Sequence, residues 1–320
     1  MIATTGTATT GNPPISSSTR RKPRPPGTPS AFSAPMIPRK SATRLLHAPR
    51  FAHAPLMLIA LLATAAFAGA PTTQPITGPD NQPLIFHLPG IGGHRLPDEM
   101  LKRGLLGGGI DAEFFIYDWT GEDEGIIALT NTRRHDEQST LIAEMLTQVA
   151  RAQPARRIIL TCHSAGGGIA AYALEKLPDD IHIDTWLLIA PALSPDYDLT
   201  PALRHVRRAY HFYSGTDPIL GFGTRTFGTV DRVKTDSAGK VGFTRPPAGG
   251  EAEYARLRQF PYNPAWLRLG NAGDHIGGTM TPFARRIIAP LLLSGQLPAF
   301  PPPTTSPTAV QTPAAGNGAN

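Results

Sequence analysis

Between about residues 82 and 295, apolar positions follow two alternating patterns. Short continuous or alternating apolar runs predict strands at 84–89, 113–118, 156–162, 185–191, 207–213 and 265–270. Between them, apolar residues recurring every three to four positions predict helices near 97–105 and at 135–152, 166–177 and 281–294. The clearest helix is 135–152, where Leu141, Ile142, Met145, Leu146 and Val149 form one stripe and Pro154 ends it. Strands alternating with helices imply an α/β class with a doubly wound, mostly parallel sheet. Residues 80–296 are enough for one such domain. Too few residues join the strands near 190 and 207 for a large helical cap. The longer stretch 218–264 holds a Gly221-Phe222-Gly223 turn, the β-prone Thr224–Val233 and Lys240–Phe243, which predict a hairpin at the rim.

The chemistry collects where predicted strands end. Ile158-Ile159-Leu160-Thr161-Cys162-His163-Ser164-Ala165-Gly166-Gly167-Gly168 runs from an apolar strand through a serine flanked by small residues into a helix. A serine at such a turn needs a strained backbone to project its hydroxyl, with small residues two positions away on each side. Cys162 and Gly166 satisfy that limit, although the usual first position is Gly. The helix beginning beyond Ser164 offers free N–H groups and a positive dipole end to an anion, with the Ala165 N–H foremost. Leu84-Ile85-Phe86-His87-Leu88 leads into a second loop, Pro89-Gly90-Ile91-Gly92-Gly93-His94, whose glycines let backbone N–H groups face a developing negative charge. A third strand end carries Ser214-Gly215-Thr216-Asp217-Pro218, and a fourth Asn271-Ala272-Gly273-Asp274-His275.

With these motifs, residues 82–295 resemble the α/β-hydrolase superfamily, specifically its serine esterase and lipase-like members. Pro89-Gly90-Ile91-Gly92-Gly93 stands where many of them carry His-Gly-x-Gly-Gly. The order Ser164, Asp217, His275 is the order that superfamily uses. The resemblance implies Ser164 as nucleophile, His275 as general base and acid, and Asp217 as the carboxylate that orients the imidazole. It also implies an oxyanion hole made by the N–H groups of Ile91 and Ala165. Asp196 and Asp198, after the strand at 185–190, are alternative sites for the carboxylate. Asp274 is expected to point away and cap its turn, Asp231 to pair with an adjacent arginine, and His163 to be a packed or hydrogen-bonded neighbour of the nucleophile. His87, His94 and His211 lack metal-ligand spacing, so neither a catalytic metal nor a cofactor is expected.

The first seventy residues differ in kind. They contain no acid before Asp80, and residues 1–50 are rich in Pro, Ser, Thr and Arg, a composition that predicts disorder. Leu56–Ala70 is an apolar run, preceded by Arg44 and Arg50, that ends in Ala66-Phe67-Ala68. Residues 51–70 therefore predict a secretory signal peptide cut before Gly69, with a short membrane anchor as the alternative. Eight Lys and Arg precede Gly69, leaving 22 basic against 24 acidic residues in the remainder. The net charge of +6 thus belongs to the leader and gives no reason to expect nucleic-acid binding. The single cysteine, Cys162, excludes an intramolecular disulfide. The Pro/Thr-rich residues 297–320 predict a disordered tail. The expectation is an exported enzyme acting on a small-molecule or lipid ester, with an acyltransferase, a thioesterase or a catalytically silent module of the same fold as alternatives.

Overall fold

In a computed structural model of the chain, the described residues run from 76 to 300, except 77, 80, 124 and 245–248. The predicted leader, the signal segment and the tail beyond Phe300 lie outside them. No helix among the described residues is long and apolar enough to cross a membrane.

The chain order is β1 (Leu84–Leu88), α1 (Leu96–Gly107), β2 (Glu113–Ile116), α2 (Ile126–Thr130), α3 (Thr132–Ala152), β3 (Ile158–His163), α4 (Gly166–Leu174), β4 (Ile183–Ile189), α5 (Thr200–Arg204), β5 (Val206–Tyr213), α6 (Pro218–Phe227), α7 (Ala238–Val241), α8 (Glu251–Tyr254) and β6 (Leu257–Pro261). A 3-10 segment, Pro264–Leu269, follows, and then a helical stretch made of α9 (Thr281–Phe283), a π turn (Ala284–Ile288) and α10 (Ala289–Ser294). The six strands form one parallel sheet ordered β2-β1-β3-β4-β5-β6. The chain steps outward from β1 to β2 and then returns to the other side of β1. The crossovers therefore diverge between β1 and β3, and loops leaving that point open a crevice at the carboxyl edge.

Period-two alternation sorts the strand side chains between two apolar layers. Leu84, Phe86, Leu88, Leu160, Cys162, Trp186 and Leu188 face α3 and α4, where Ile142, Leu146 and Ile169 meet them. Ile85, Ile159, Leu187, Ile189, Tyr210 and Phe212 face α1 and the C-terminal helical stretch, against Leu101, Leu105, Phe283 and Ile287. Because both faces are covered, β1 and β3 are buried along their whole length, which is why they appear in the sequence as unbroken apolar runs.

Two expectations are corrected. The strand expected at 265–270 is the 3-10 segment Pro264–Leu269. Pro264 begins it, the Asn263 side chain accepts from the Ala265 N–H, and Gly270 ends it in the left-handed region. Its buried residues, Trp266 and Leu269, are three apart, the repeat of a 3-10 helix rather than of a strand. The sixth strand is instead Leu257–Pro261, a half-exposed sheet edge paired with β5. The hairpin expected within 218–264 is also absent from the described residues, because Thr224–Phe227 completes α6. As expected, no large helical cap lies between β4 and β5 among the described residues, since that connection carries only the five residues of α5.

His211 on β5 is buried, with Nδ1 against the Gln259 side chain and Nε2 unpartnered, and burial pushes its pKa down to about 4. Above pH 6.5 this imidazole is neutral in both folded and unfolded chains. Between 6.5 and about 4 only the unfolded chain takes up the proton, so stability falls as pH falls. Urea unfolding from pH 7 to 4 is expected to lose on the order of 3 kcal/mol to this one group. The His211→Gln variant should show a shallower pH slope, and an identical slope would refute the assignment.

Candidate active site

The backbone at the end of β3 is set up for projection. Ser164 has φ +54, a left-handed conformation that non-glycine residues rarely adopt. The elbow is held on both sides: the Ser164 N–H donates to Ile189 O at 3.0 Å, and the Ser164 carbonyl accepts from Gly167 N and Ala192 N, each at 3.0 Å. Gly166 admits no side chain. A Cβ there would lie 2.4 Å from Leu88 O and 2.5 Å from Pro89 O, so the start of α4 rests directly on the end of β1. Cys162 is fully buried, its Sγ donates to Leu187 O at 3.3 Å, and burial pushes the thiol up to about 12. It is an inert packing residue beside the serine.

Three loops bring their side chains together over this turn. Ser164 Oγ and His275 Nε2 are 2.9 Å apart, and His275 Nδ1 donates to Asp217 Oδ2 at 2.8 Å. All three residues are largely buried, with Ser164 6% and His275 9% exposed. The other Asp217 oxygen accepts from the Leu220 N–H at 2.9 Å, which makes this residue the N-cap of α6. Burial alone would raise the Asp217 carboxyl. The charge and hydrogen bond of His275, together with the Leu220 N–H, outweigh that and hold it below the usual carboxylate range. The His275 loop is pinned to the β5 loop by Ser214 Oγ and Thr216 Oγ1, which donate to Gly273 O at 2.6 and 3.0 Å.

The loop after β1 is fastened through its carbonyls. The Trp119 indole donates to Pro89 O at 2.8 Å, Gly93 N to Gly90 O at 3.0 Å, and Gly125 N to Ile91 O at 3.0 Å. The His94 N–H donates to Asp118 Oδ2 at 2.8 Å. A Cβ on Gly90 would sit 3.1 Å from Ser164 Cβ, which places this loop against Ser164. Among the described residues, the N–H groups of Ile91 and Ala165 have no acceptor, although Ala165 is fully buried. Such unspent donors beside a serine suit an incoming oxyanion.

The other acids are elsewhere. Asp196 accepts from Thr244 Oγ1, and Asp198 accepts from Thr200 N at 2.9 Å; both are exposed and neither reaches His275. The Asp231 carboxylate does not pair with an arginine but clamps the Ser194 N–H and hydroxyl. Asp274 is exposed, and its carbonyl accepts from Gly277 N at 3.2 Å.

Residues 90–216, about two-fifths of the chain, match the family model for serine aminopeptidase, S33. The match covers the loop after β1 from Gly90 onward and the turn at Ser164, and stops one residue short of Asp217. Taken with the sheet order and the turn at Ser164, it is in keeping with one architecture. The chain has an α/β-hydrolase fold. Its fold is similar to that of Aspergillus fumigatus lipase B, with 14% identity over 78% of this chain and 59% of that one and a TM-score of 0.41. It is also similar to Est1E from Butyrivibrio proteoclasticus, solved with ferulic acid (12% identity, 69% and 92% coverage, TM-score 0.43). A third is a predicted CIB-like hydrolase from Thermoplasma acidophilum (14% identity, 69% and 90% coverage, TM-score 0.39). The chain thus spans less than two thirds of the Aspergillus lipase. No curated protein matches the sequence.

Several supports of this site had no signal in the sequence. Trp119 and Asp118, just beyond β2, fasten the loop after β1 across 30 and 24 residues. His87 is buried on β1, with Nε2 donating to Asp98 Oδ1 at 2.9 Å and Nδ1 meeting the Thr161 hydroxyl at 2.8 Å. Asp98 also accepts from the Arg95 N–H at 2.7 Å, closing the N-terminus of α1. Contacts from Trp119 and Asp118 supply polar support to the loop that begins at Pro89.

Replacing Gly166 by Ala forces a methyl into two backbone carbonyls that cannot retreat without moving β1. Gly166→Ala is expected to cost at least about 2 kcal/mol in urea unfolding. A variant as stable as the parent would refute the close approach of α4 to β1.

Proposed function

We propose that this chain is a serine hydrolase that cleaves carboxylic esters through an acyl-enzyme. The reading rests chiefly on one observation: Ser164 Oγ, His275 and Asp217 form a hydrogen-bonded chain of 2.9 and 2.8 Å beside two N–H groups without acceptors. In the first half-reaction, Ser164 Oγ bonds to the ester carbonyl carbon as its proton passes to His275 Nε2. The carbonyl oxygen becomes an oxyanion, for which Ile91 and Ala165 supply the donors. Collapse breaks the ester C–O bond, and the alcohol leaves with the proton from His275. Water then repeats the sequence on the acyl-enzyme, giving its proton to His275 and releasing the acid and the free serine.

Asp217 is assigned to hold the imidazole with its proton on Nδ1 and to balance the charge that develops when Nε2 is protonated. The electrostatics favour this role, since a carboxyl held below its usual range stays ionised throughout the neutral region. No step requires a metal or an organic cofactor. The apolar segment 56–70 is proposed to direct export, so that the mature enzyme begins near Gly69 and meets its ester outside the cytoplasm.

The test uses residues 69–320 and the Ser164→Ala and Asp217→Asn variants. The parent should react with a fluorophosphonate probe and hydrolyse p-nitrophenyl esters. Ser164→Ala should lose labelling and at least roughly 1,000-fold in turnover, and Asp217→Asn roughly 100- to 10,000-fold. An amino-acid p-nitroanilide belongs in the panel because the matching family model describes an aminopeptidase. Turnover of the anilide without the esters would replace the esterase reading by a peptidase one. A folded parent inert to both and to the probe would leave a silent module.

A further inference from the structure

We propose that His163, the residue before the nucleophile, is a positioning residue that holds the His275 imidazole in line with Ser164. The inference rests on the serine hydrolase reading and assigns a task which that reading leaves open. His275 sits in a loop rather than in a strand or helix, and its ring contacts with Ser164 and Asp217 fix only its two nitrogens. Something must also fix the backbone from which the ring hangs. His163 Nε2 lies 2.9 Å from the His275 carbonyl oxygen. An acceptor of that kind requires a proton on the nitrogen, so Nε2–H donates. The two rings also pack in a tilted contact, with centroids 4.8 Å apart and planes at 44°. One side chain thus clamps the general base at its main chain and at its ring.

The clamp is rigid because its own base is rigid. His163 is the last residue of β3, paired with Ile189 on β4 and buried to 6% exposure. It immediately precedes the strained Ser164, so nucleophile and clamp are carried by one short piece of backbone and cannot drift apart.

The clamp must also stay uncharged. The titratable groups acting on His163 are His275 in front, Asp217 beyond it, and Asp98 and His87 from α1 and β1. Burial, assisted by His275, pushes the His163 imidazole down to about 4, against the opposing pull of Asp98. At neutral pH it is therefore a neutral donor. A cation at this spot would oppose the imidazolium that His275 must become during proton transfer.

Two variants separate positioning from bulk. His163→Phe keeps a packed ring and removes the donor, whereas His163→Gln restores a donor without the ring. On a p-nitrophenyl ester, the Phe variant is expected to lose roughly 10- to 100-fold in kcat with KM within about twofold, the effect of a slightly misplaced base. The Gln variant should recover to within about fivefold of the parent. Equal losses in Phe and Gln, or a Phe variant within twofold of the parent, would overturn the proposal. A purely structural role would lower the Tm without a donor-dependent split in kcat.

Nitrogen-15 NMR of the unmodified protein needs no variant to fold. His163 should be a neutral imidazole with its proton on Nε2 at pH 6, and a proton on Nδ1 or a charged ring at that pH would sink the idea. Failure of the parent to react with the fluorophosphonate probe would instead overturn the hydrolase reading itself, whatever the tautomer shows.

Discussion

Everything at this site depends on one residue held in a conformation that it would not choose. A left-handed backbone at a non-glycine residue costs on the order of 1 kcal/mol or more, and Ser164 accepts that cost at the centre of the sheet. Hydrogen bonds from Gly167 and Ala192 to its carbonyl, and from its own N–H to Ile189, offset it. Release of the strain would have to break these together, and would also part the start of α4 from the carbonyls of Leu88 and Pro89. The strain therefore serves as a fixed support that holds the Ser164 hydroxyl at the His275 ring.

The sheet order explains why the remaining parts arrive there. With all six strands parallel, every strand-to-helix loop leaves from the carboxyl edge, and β1 and β3 are neighbours although the chain between them passes through β2. The loop after β1 thus lies against the turn after β3. Asp217 and His275 come from β5 and from the loop beyond β6, and the bonds from Ser214 and Thr216 to Gly273 hold those two loops as one unit. Proximity is built into the topology, and side-chain hydrogen bonds only trim it.

The parts that the sequence discloses share a physical trait. Buried parallel strands must be apolar throughout, and helices packed on one face must be apolar every three to four residues, so the central elements appear at nearly the right residues. Ser164 is visible because its turn restricts its neighbours to small residues. Elements at the edge follow no such rule. Leu257–Pro261 is half exposed and mixes Arg258 and Gln259 with Phe260, while Trp266-Leu267-Arg268-Leu269 alternates like a strand yet buries residues three apart. Asp217-Pro218 is a helix start in its own right, a capping acid followed by proline at the first helical position, and that signal argues against a hairpin over Thr224–Val233. The supports from Trp119, Asp98 and His87 are invisible for another reason: they are long-range pairings of ordinary residues with no local constraint on their neighbours.

The buried polar groups beneath the site form a pattern that local reading does not reveal. Two carboxylates, Asp217 and Asp98, each hold a histidine at hydrogen-bond distance, and each also accepts a backbone N–H at the start of a helix. Both are held below the usual carboxylate range despite burial, by the histidine and by that N–H. A lone buried carboxylate would take up a proton rather than remain charged, so each helix N-terminus and its histidine partner act together to keep the charge in place. Between the two pairs lies His163, with no carboxylate of its own, and burial keeps it neutral. On the proposed hydrolase reading, the arrangement places fixed negative charge behind His275, where a positive charge would appear in turnover, and a neutral donor beside it. A fold that had to reorganise these groups during proton transfer would add that work to the barrier, whereas here the orientation is completed when the chain folds.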